Sequence, residues 1–167
     1  MKQKMRNRLF EIFEDKLSCS CSGFSKDKRY SINERVIFRR AVSEGLMLFV
    51  CLSIVDFKEG FTLDLACSED GDYPFSFQFL GDWHHVRLPD LAGLRKDGEE
   101  YFWQIATPPS LGKLMKHVEK GMPLREPNVS DEKLAEVVDE AVKVFKEYGI
   151  AFFDKVASDK GLKIQWN

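Results

Sequence analysis

The ten-residue run Leu46–Val55 constrains the fold more than any other stretch, because every residue in it except Ser53 is apolar. A helix that crosses a bilayer needs about 20 residues, so this run is too short to span one. Val50 and Ile54 are β-branched, and turn-forming segments stand on both sides of the run. We therefore interpret it as a strand that is covered on both faces and lies at the centre of a sheet.

The neighbouring segments predict further strands. Residues 35–42 read as the preceding strand, 43–45 as a tight connection and 56–60 as the next turn. Residues 61–68 then alternate, with Phe61, Leu63, Leu65 and Cys67 on one face and Thr62, Asp64, Ala66 and Ser68 on the other. Short connections imply antiparallel neighbours, so residues 35–68 form a three-stranded meander. An earlier edge strand within 28–32, a fourth strand at 75–79 and an extended segment at 99–105 are also predicted.

Helical spacing appears on both sides of these strands. Residues 2–17 carry apolar side chains three and four positions apart, and the serines and Gly23 of 18–25 interrupt that pattern. Residues 111–118 predict a short helix, with His117 exposed on its polar side. Ser130 is a good N-cap for a longer helix, Gly149 is expected to end it, and 150–156 begin a further helical turn.

The order of helix, strands and helices predicts an α+β fold. We expect an antiparallel four- to five-stranded meander sheet with the N-terminal helix and the C-terminal helices packed on it. A chain of 167 residues fits one domain, and nothing in its interior reads as a linker, so residues 1–167 are predicted to form a single domain.

Composition excludes several classes of protein. The chain is 44% hydrophobic and 31% charged, as in soluble globular proteins, and its net charge of −2 produces no global attraction to nucleic acid or to an anionic membrane. The basic residues near the N-terminus run straight into an amphipathic pattern, so no signal peptide is predicted. With no transmembrane segment either, the expected location is the cytoplasm, where the four cysteines stay reduced.

No metal or cofactor is predicted. Cys19, Cys21, His84 and His85 are the only candidate ligands for a soft metal, and they lack the paired spacing of structural zinc sites. Asp64, Glu69, Asp70 and Asp72 could in principle hold a divalent cation, but residues 69–72 do not fit an EF-hand loop and read better as a solvated acidic turn.

Catalytic signatures are also missing. No P-loop, dinucleotide fingerprint or Gly-x-Ser-x-Gly motif occurs in the chain. Cys51 lies in the most apolar strand, where burial would raise its pKa and make it inert, and Cys67 is expected in the core. These observations favour a protein that is not an enzyme.

The segment 81–103 holds the most interesting cluster. Its Trp, Tyr and Arg residues are types that anchor interfaces, and a long loop is a common place for a site. The candidate binding residues are Trp83, His84, His85, Arg87, Tyr101 and Trp103, together with Glu69, Asp70 and Asp72 of the acidic turn. The alternative is that the rings close one end of the hydrophobic core.

Several segments resemble a bacterial family named domain of unknown function 4304 (DUF4304). Gly23-Phe-Ser-Lys-Asp-Lys-Arg-Tyr30 is similar to its entry segment, and Phe61-Thr-Leu-Asp-Leu65 to the end of its meander. Residues 85–91 and 100–105 look like its Arg-Leu and Trp-containing segments, and 148–154 like its final helix, with Ala151 in place of a proline. The resemblance implies an α+β domain without an established activity. Similar small bacterial domains often serve as immunity proteins, which implies specific protein binding.

These observations leave three functional hypotheses. The first is a non-catalytic cytoplasmic binding protein, immunity-like or accessory, that recognises a protein partner through the turn at 69–72 and the segment 81–103. The second is a small enzyme or ligand-binding domain in a pocket of about 300–1,000 Å³, with His84 or His85 as a base and Asp82 or Asp64 as its orienter or as a metal ligand. Nucleic-acid binding through Arg35, Arg39 and Arg40 is weaker, because Arg40 points away from the other two.

Overall fold

Along the described residues, an N-terminal helix is followed by an antiparallel sheet, with a short helix between its last two strands, and then by two C-terminal helices. The structure is a computed structural model, and it describes residues 1, 3–43, 45–56, 59–74, 85–107 and 129–166. The strands are β1 (Ser25–Lys26), β2 (Arg35–Ser43), β3 (Leu46–Val55), β4 (Gly60–Ser68), β5 (His85–Arg87) and β6 (Trp103–Gln104). The helices are α1 (Gln3–Ser20), α2 (Leu88–Leu91), α3 (Asp131–Val144) and α4 (Ile150–Asp159). The predicted α+β fold is confirmed.

The predicted meander is present, with β3 between β2 and β4. The strands are ordered β1-β2-β3-β4-β5, every pairing is antiparallel, and β6 pairs with the opposite end of β4 from β5. Leu52 of β3 lies opposite Val36 of β2 and Leu63 of β4. Because side chains of directly opposed residues share a face, these three residues project together from one side of the sheet.

The helices cover that side of the sheet. Leu48, Val50 and Leu52 of β3 are fully buried there, beside Phe13 of α1, whose ring centroid lies 5.6 Å from that of Phe38 of β2. The opposite face of β3 is also buried at its centre, where Phe49 and Cys51 are at most 1% exposed. The prediction that this strand is covered on both faces is confirmed for its central residues.

Helix α1 is longer than the sequence pattern predicts. It continues to Ser20, and the amide of Cys21 still donates to the carbonyl of Leu17 at 2.8 Å. Leu17 and Cys21 are buried four positions apart, so burial of the same helical face extends the helix through its serines. No helix within the described residues has the length and apolar character needed to cross a membrane.

The edge strand lies earlier than predicted. β1 pairs at Ser25–Lys26, whereas residues 28–30 form a turn in which the Asp27 carboxylate accepts a hydrogen bond from the amide of Arg29 at 3.0 Å. Of the predicted extended segment 99–105, only Trp103–Gln104 is a strand. The strand predicted at 75–79, the helix predicted at 111–118 and His117 lie outside the described residues.

Gly149 does not end the long helix, so that prediction is wrong. Ser130 is the N-cap of α3, as predicted, and its hydroxyl accepts from the amide of Lys133. The chain then passes through one π-helical turn, Phe145–Gly149, directly into α4, and Gly149 keeps helical backbone angles. A Cβ at Gly149 would lie 2.8 Å from Phe145 Cε2 and 3.2 Å from Leu65 Cδ1. The glycine is therefore needed for close packing of helix on sheet, and not for a turn.

Candidate functional site

Polar side chains occupy one end of the sheet face that lies opposite the helices. The cross-strand register arranges them in two adjacent rows, Arg35–Ser53–Thr62 and Cys51–Asp64–Arg87. They result from the alternation of β3 and β4, whose other faces supply the hydrophobic core. The two polar rows thus lie on rigid strands, on the face of the sheet opposite the hydrophobic core.

These two rows form part of the wall of a cavity of about 450 Å³. The volume falls within the range of about 300–1,000 Å³ that is typical of small-molecule sites. Its deepest side chains are at most 5% exposed and belong to Cys51, Thr62, Asp64 and Tyr73. The exposed carboxylates at its rim belong to Glu34, Asp56 and Glu100. The cavity therefore has a buried floor and an open, acidic rim.

Two oxygens of the floor have unused hydrogen-bonding capacity. Thr62 is 3% exposed and Asp64 is 5% exposed. Within the described part of the chain, Thr62 Oγ1 has no hydrogen-bond partner, and Asp64 Oδ1 forms a long ion pair with Arg87 Nε at 3.5 Å. A buried polar group without a partner costs free energy, and such groups in folded proteins call for an explanation. Both oxygens are placed to receive donors from a molecule in the cavity.

Asp64 belongs to a chain of charged groups that leads from the floor to the rim. Arg87 Nε lies 3.5 Å from Asp64 Oδ1, and Arg87 Nη1 donates to Glu100 Oε1 at 2.6 Å. Burial raises the pKa of Asp64 to about 6, and the positive charges of Arg87 and Arg35 only partly oppose that shift. Asp64 is thus a carboxyl group that can gain or lose a proton near neutral pH.

Cys51 and Tyr73 close the inner end of the cavity. The Tyr73 ring packs edge-on against Phe49, with 5.4 Å between centroids, and Cys51 Sγ lies 3.5 Å from Ser53 Oγ. Burial raises the pKa of Cys51 to about 11, so its thiol is protonated at neutral pH. Burial also raises the pKa of Tyr73. The prediction that Cys51 is no nucleophile agrees with this environment.

His85 is the one predicted histidine that the structure describes, and it lines the cavity. Its ring packs edge-on against Tyr73, with 5.9 Å between centroids. Burial lowers the pKa of His85 to about 4, and the charge of Arg87 lowers it further. The imidazole is therefore neutral at pH 7 and a weak base, which makes it a poor fit to general-base catalysis at that pH.

The predicted residues of segment 81–103 do not form one cluster. His85 and Arg87 line the cavity, whereas Trp103 is 1% exposed and stacks on Phe61 on the helical side of the sheet. Tyr101 packs edge-on against Trp103 and donates its hydroxyl to Glu140 of α3 at 3.2 Å. The sheet thus separates the two groups. Trp83 and His84 lie outside the described residues, as does Asp82.

The acidic turn is exposed, and its carboxylates contact other parts of the chain. Asp72 accepts a hydrogen bond from the Tyr30 hydroxyl at 2.5 Å and lies 3.5 Å from Arg29 Nη1. Glu69 forms an ion pair with Lys160, and Asp70 Oδ1 accepts from the amide of Asp72. Its negative charge is therefore partly neutralised within the molecule.

The candidate metal ligands that the structure describes lie apart from one another. Among the described residues, no group of three or more histidine, cysteine or carboxylate side chains could hold a metal ion. Asp64 lies in the cavity floor, whereas Asp72 is tied to Tyr30 and Arg29. Cys19 is exposed and Cys21 is buried at the end of α1.

Sequence reasoning missed much of the cavity. The sequence gives Thr62 and Ser53 no role beyond their strands, and it places Glu100 and Phe102, which also line the cavity, in the segment 81–103 without indicating this site. A signal was present for the strand residues, because the alternation of β4 places Thr62 and Asp64 on the face away from the core. Glu100 and Phe102 carried no comparable signal, since only the tertiary fold brings them to this sheet.

A scan against protein-family models gave no match for this chain, and searches of the curated proteins and of the solved structures gave none either.

Proposed function

We propose that this protein is a small-molecule-binding protein that uses the cavity behind β3 and β4 as its site. The observation that carries the proposal is the floor of a cavity of about 450 Å³, where the buried Thr62 Oγ1 has no hydrogen-bond partner among the described residues and the buried Asp64 Oδ1 has a long ion pair with Arg87. Ligand pockets are mostly apolar with a few well-placed polar groups, and Ile54, Val55 and Phe102 supply apolar wall here.

The proposed role is binding without catalysis. At neutral pH the Cys51 thiol is protonated and the His85 ring is a weak base, so neither group favours nucleophilic or general-base chemistry. Asp64 is the group best able to exchange a proton, but burial and its ion pair with Arg87 suit it equally to bind a polar ligand. Ligand binding accounts for all of these groups with the fewest assumptions.

The protein-binding hypothesis from the sequence stays a prediction, and so do the resemblance to DUF4304 and the cytoplasmic location. The exposed turn at 69–72 supports an interaction surface, but Lys160 and Arg29 already pair with two of its carboxylates. Trp103 and Tyr101, which were expected on the same surface, pack against the helical side of the sheet. The cavity therefore supports ligand binding more strongly than the turn supports a protein partner.

The test is a screen of small polar molecules by thermal denaturation and by ¹H–¹⁵N spectra of the folded protein. We expect binders to raise the melting temperature and to shift amide signals of residues 51–53 and 62–64. Ser53→Phe places a ring in the half-buried wall of the cavity and should abolish both effects. Ser158→Phe, at an exposed position of α4, is the matched control and should leave them unchanged.

Two results would overturn the proposal. One is a screen in which no molecule of any charge class shifts those amide signals. The other is a set of binders that act equally on the wild type, on Ser53→Phe and on Ser158→Phe, because such binding would lie elsewhere on the surface.

A further inference from the structure

Among the described residues that line the cavity, negatively charged groups outnumber positively charged groups. Among the lining residues that the structure describes are four carboxylates, from Glu34, Asp56, Asp64 and Glu100, and two guanidinium groups, from Arg35 and Arg87. The carboxylate of Asp56 is already paired with Arg6 Nη2, which lies outside the lining residues at 2.5 Å. Three carboxylates therefore face two guanidinium groups, which leaves an excess of one negative charge at a pH where all of them are ionised.

Neither the position nor the pairing of Arg87 suits an anionic ligand. Its Nη1 donates to Glu100 at 2.6 Å and its Nε faces Asp64 at 3.5 Å, so an incoming anion would compete with two carboxylates held in place by the fold. The charge of Arg35 also acts on Asp64. The positive charges of both guanidinium groups thus already act on the buried carboxylate of Asp64. The local electrostatic field at the floor is therefore unfavourable to a further negative charge.

The ionised Asp64 carboxylate only accepts hydrogen bonds, whereas the Thr62 hydroxyl can accept or donate, so Asp64 favours a donor in the ligand. Thr62 and Asp64 lie on the same face of β4, two residues apart, so their Cα atoms are about 7 Å apart along the strand. An ammonium group offers three N–H donors and a guanidinium group offers five, so either can reach more than one acceptor. A hydrogen bond from a charged donor to a carboxylate is also among the stronger interactions available in a protein.

We infer that the ligand carries one positively charged amine or guanidinium group, which binds at Asp64 and Thr62, and an apolar body that lies against Ile54, Val55 and Phe102. The inference rests on the proposed ligand-binding function. A single positive charge neutralises the excess among the described lining residues, and it supplies donors to the Asp64 carboxylate and the Thr62 hydroxyl. The ligand class is therefore a small organic cation.

The experiment uses fragments in matched triads that differ only in their polar group. One triad is 2-phenylethylamine, 2-phenylethanol and 3-phenylpropanoate, and further triads vary the size and shape of the apolar part. Binding is measured on the folded, full-length chain by titration of the amide signals of residues 51–53 and 62–64. We expect the amines to bind at least about tenfold more tightly than their alcohol and acid partners, as the loss of one charged hydrogen bond predicts.

Two substitutions locate the charged group. Asp64→Asn keeps the shape of the side chain and removes its charge, so amine affinity should fall about tenfold or more. Asp70→Asn, in the exposed acidic turn, is the matched control and should leave affinity unchanged. Thr62→Val removes only the hydroxyl and should lower amine affinity about three- to tenfold. This second variant keeps the test decisive if Asp64→Asn does not fold.

The outcomes separate the two proposals. If acids or alcohols bind at these amide signals as tightly as the amines, the cavity is a binding site and the inference about ligand charge is wrong. Equal amine affinity in the wild type and Thr62→Val would contradict the assigned position of the amine. If no member of any triad binds, both the inference and the proposed function fail.

Discussion

Asp64 and Arg87 are cross-strand partners on β4 and β5, and Arg87 Nε lies 3.5 Å from Asp64 Oδ1. The pair does not keep the pKa of this carboxyl group at its ordinary value. Burial dominates and raises the pKa of Asp64 from its ordinary 3.8 to about 6, because the nearby charge only partly replaces the lost hydration. Because the pKa of Asp64 differs between the folded protein and the unfolded chain, this carboxyl group makes the free energy of unfolding depend on pH.

The variant Asp64→Asn should reveal this pH dependence of the free energy of unfolding. Between about pH 4 and pH 6 the folded protein holds a proton on Asp64 that the unfolded chain has released, so the free energy of unfolding falls as pH rises through this window. The variant cannot titrate there. We therefore expect the stability of the wild type relative to Asp64→Asn to fall by about 2–3 kcal/mol from pH 4 to pH 7. Urea denaturation of both proteins at both pH values measures it, and a pH-independent difference would contradict the assignment.

His85 should affect the pH dependence of the free energy of unfolding in the opposite direction to Asp64. Burial lowers its pKa from 6.5 to about 4, so between these values the unfolded chain binds a proton that the folded protein does not. The contribution of His85 to stability is therefore present above about pH 6.5 and is lost as pH falls towards 4. The direct measurement is the ¹H NMR titration of the histidine ring protons, with His85→Gln to assign the signal. We expect that signal to stay that of a neutral ring down to about pH 5, and a midpoint near 6.5 would show that His85 is not buried as described.

Thr62→Val should leave the free protein as stable as the wild type or make it more stable. The Thr62 hydroxyl is buried, and it has no hydrogen-bond partner among the described residues, so its removal relieves a cost of about 1 kcal/mol. Urea denaturation without added ligand measures the change. Ser130→Ala is an informative comparison, because the Ser130 hydroxyl caps α3 and its loss should cost about 1 kcal/mol. A loss of 1 kcal/mol or more in Thr62→Val would show that the hydroxyl has a partner in the folded state.

The thiols should differ sharply in reactivity. Cys19 is exposed, whereas Cys21, Cys51 and Cys67 are at most 2% exposed. Burial raises the pKa of Cys51 to about 11 and that of Cys67 to about 12, so both stay protonated at pH 8. We expect Ellman's reagent to titrate one thiol rapidly in the folded protein and all four in denaturant.

Two variants check the assignment of that fast thiol. Cys19→Ser should remove the fast phase, and Cys51→Ser should leave it intact. Rapid reaction at Cys51 would instead mean that the cavity floor is open to reagents and that its thiol is more acidic than its surroundings indicate.

Strand β4 was predictable because its apolar and polar residues alternate. Phe61, Leu63 and Leu65 of β4 mark the core face without ambiguity, and a shift of one residue would have exposed all of them. The same alternation contained the polar half of the cavity at Thr62 and Asp64, but a polar residue on the second face of a strand is usually just solvated. Among the described residues, the packing of Tyr73, His85, Arg87, Glu100 and Phe102 turns that face into a cavity.

The expected binding cluster was harder to predict correctly because its members are adjacent in sequence and not in space. His85 and Trp103 lie on opposite sides of the sheet, since β5 and β6 pair with opposite ends of β4 and present different faces. Residue type alone does not reveal which face of a short strand is buried. Gly149 illustrates the same limit, because a glycine after a helical stripe serves equally well as a cap or as a point of close packing.

Gly149→Ala should be destabilising, although alanine is the better helix former by about 1 kcal/mol. A Cβ at this position would meet Phe145 Cε2 at 2.8 Å and Leu65 Cδ1 at 3.2 Å, between the π-helical turn and the core face of β4. We expect a loss of about 1–3 kcal/mol in the free energy of unfolding, which is typical of overpacking in a core. Glu147→Ala, at an exposed position of the same turn, is the control and should change stability by no more than about 0.5 kcal/mol.

A double variant tests the cause of that loss. Phe145→Leu removes the ring that the new methyl group would meet, at the cost of a cavity in the core. Combined with Gly149→Ala it should lose less stability than the sum of the two single losses, since the methyl group enters space that the ring has left. Urea denaturation of all four proteins in this cycle gives the coupling. Strict additivity, or a gain of stability in Gly149→Ala alone, would mean that the glycine is an ordinary helical residue and that the π-helical turn does not depend on it.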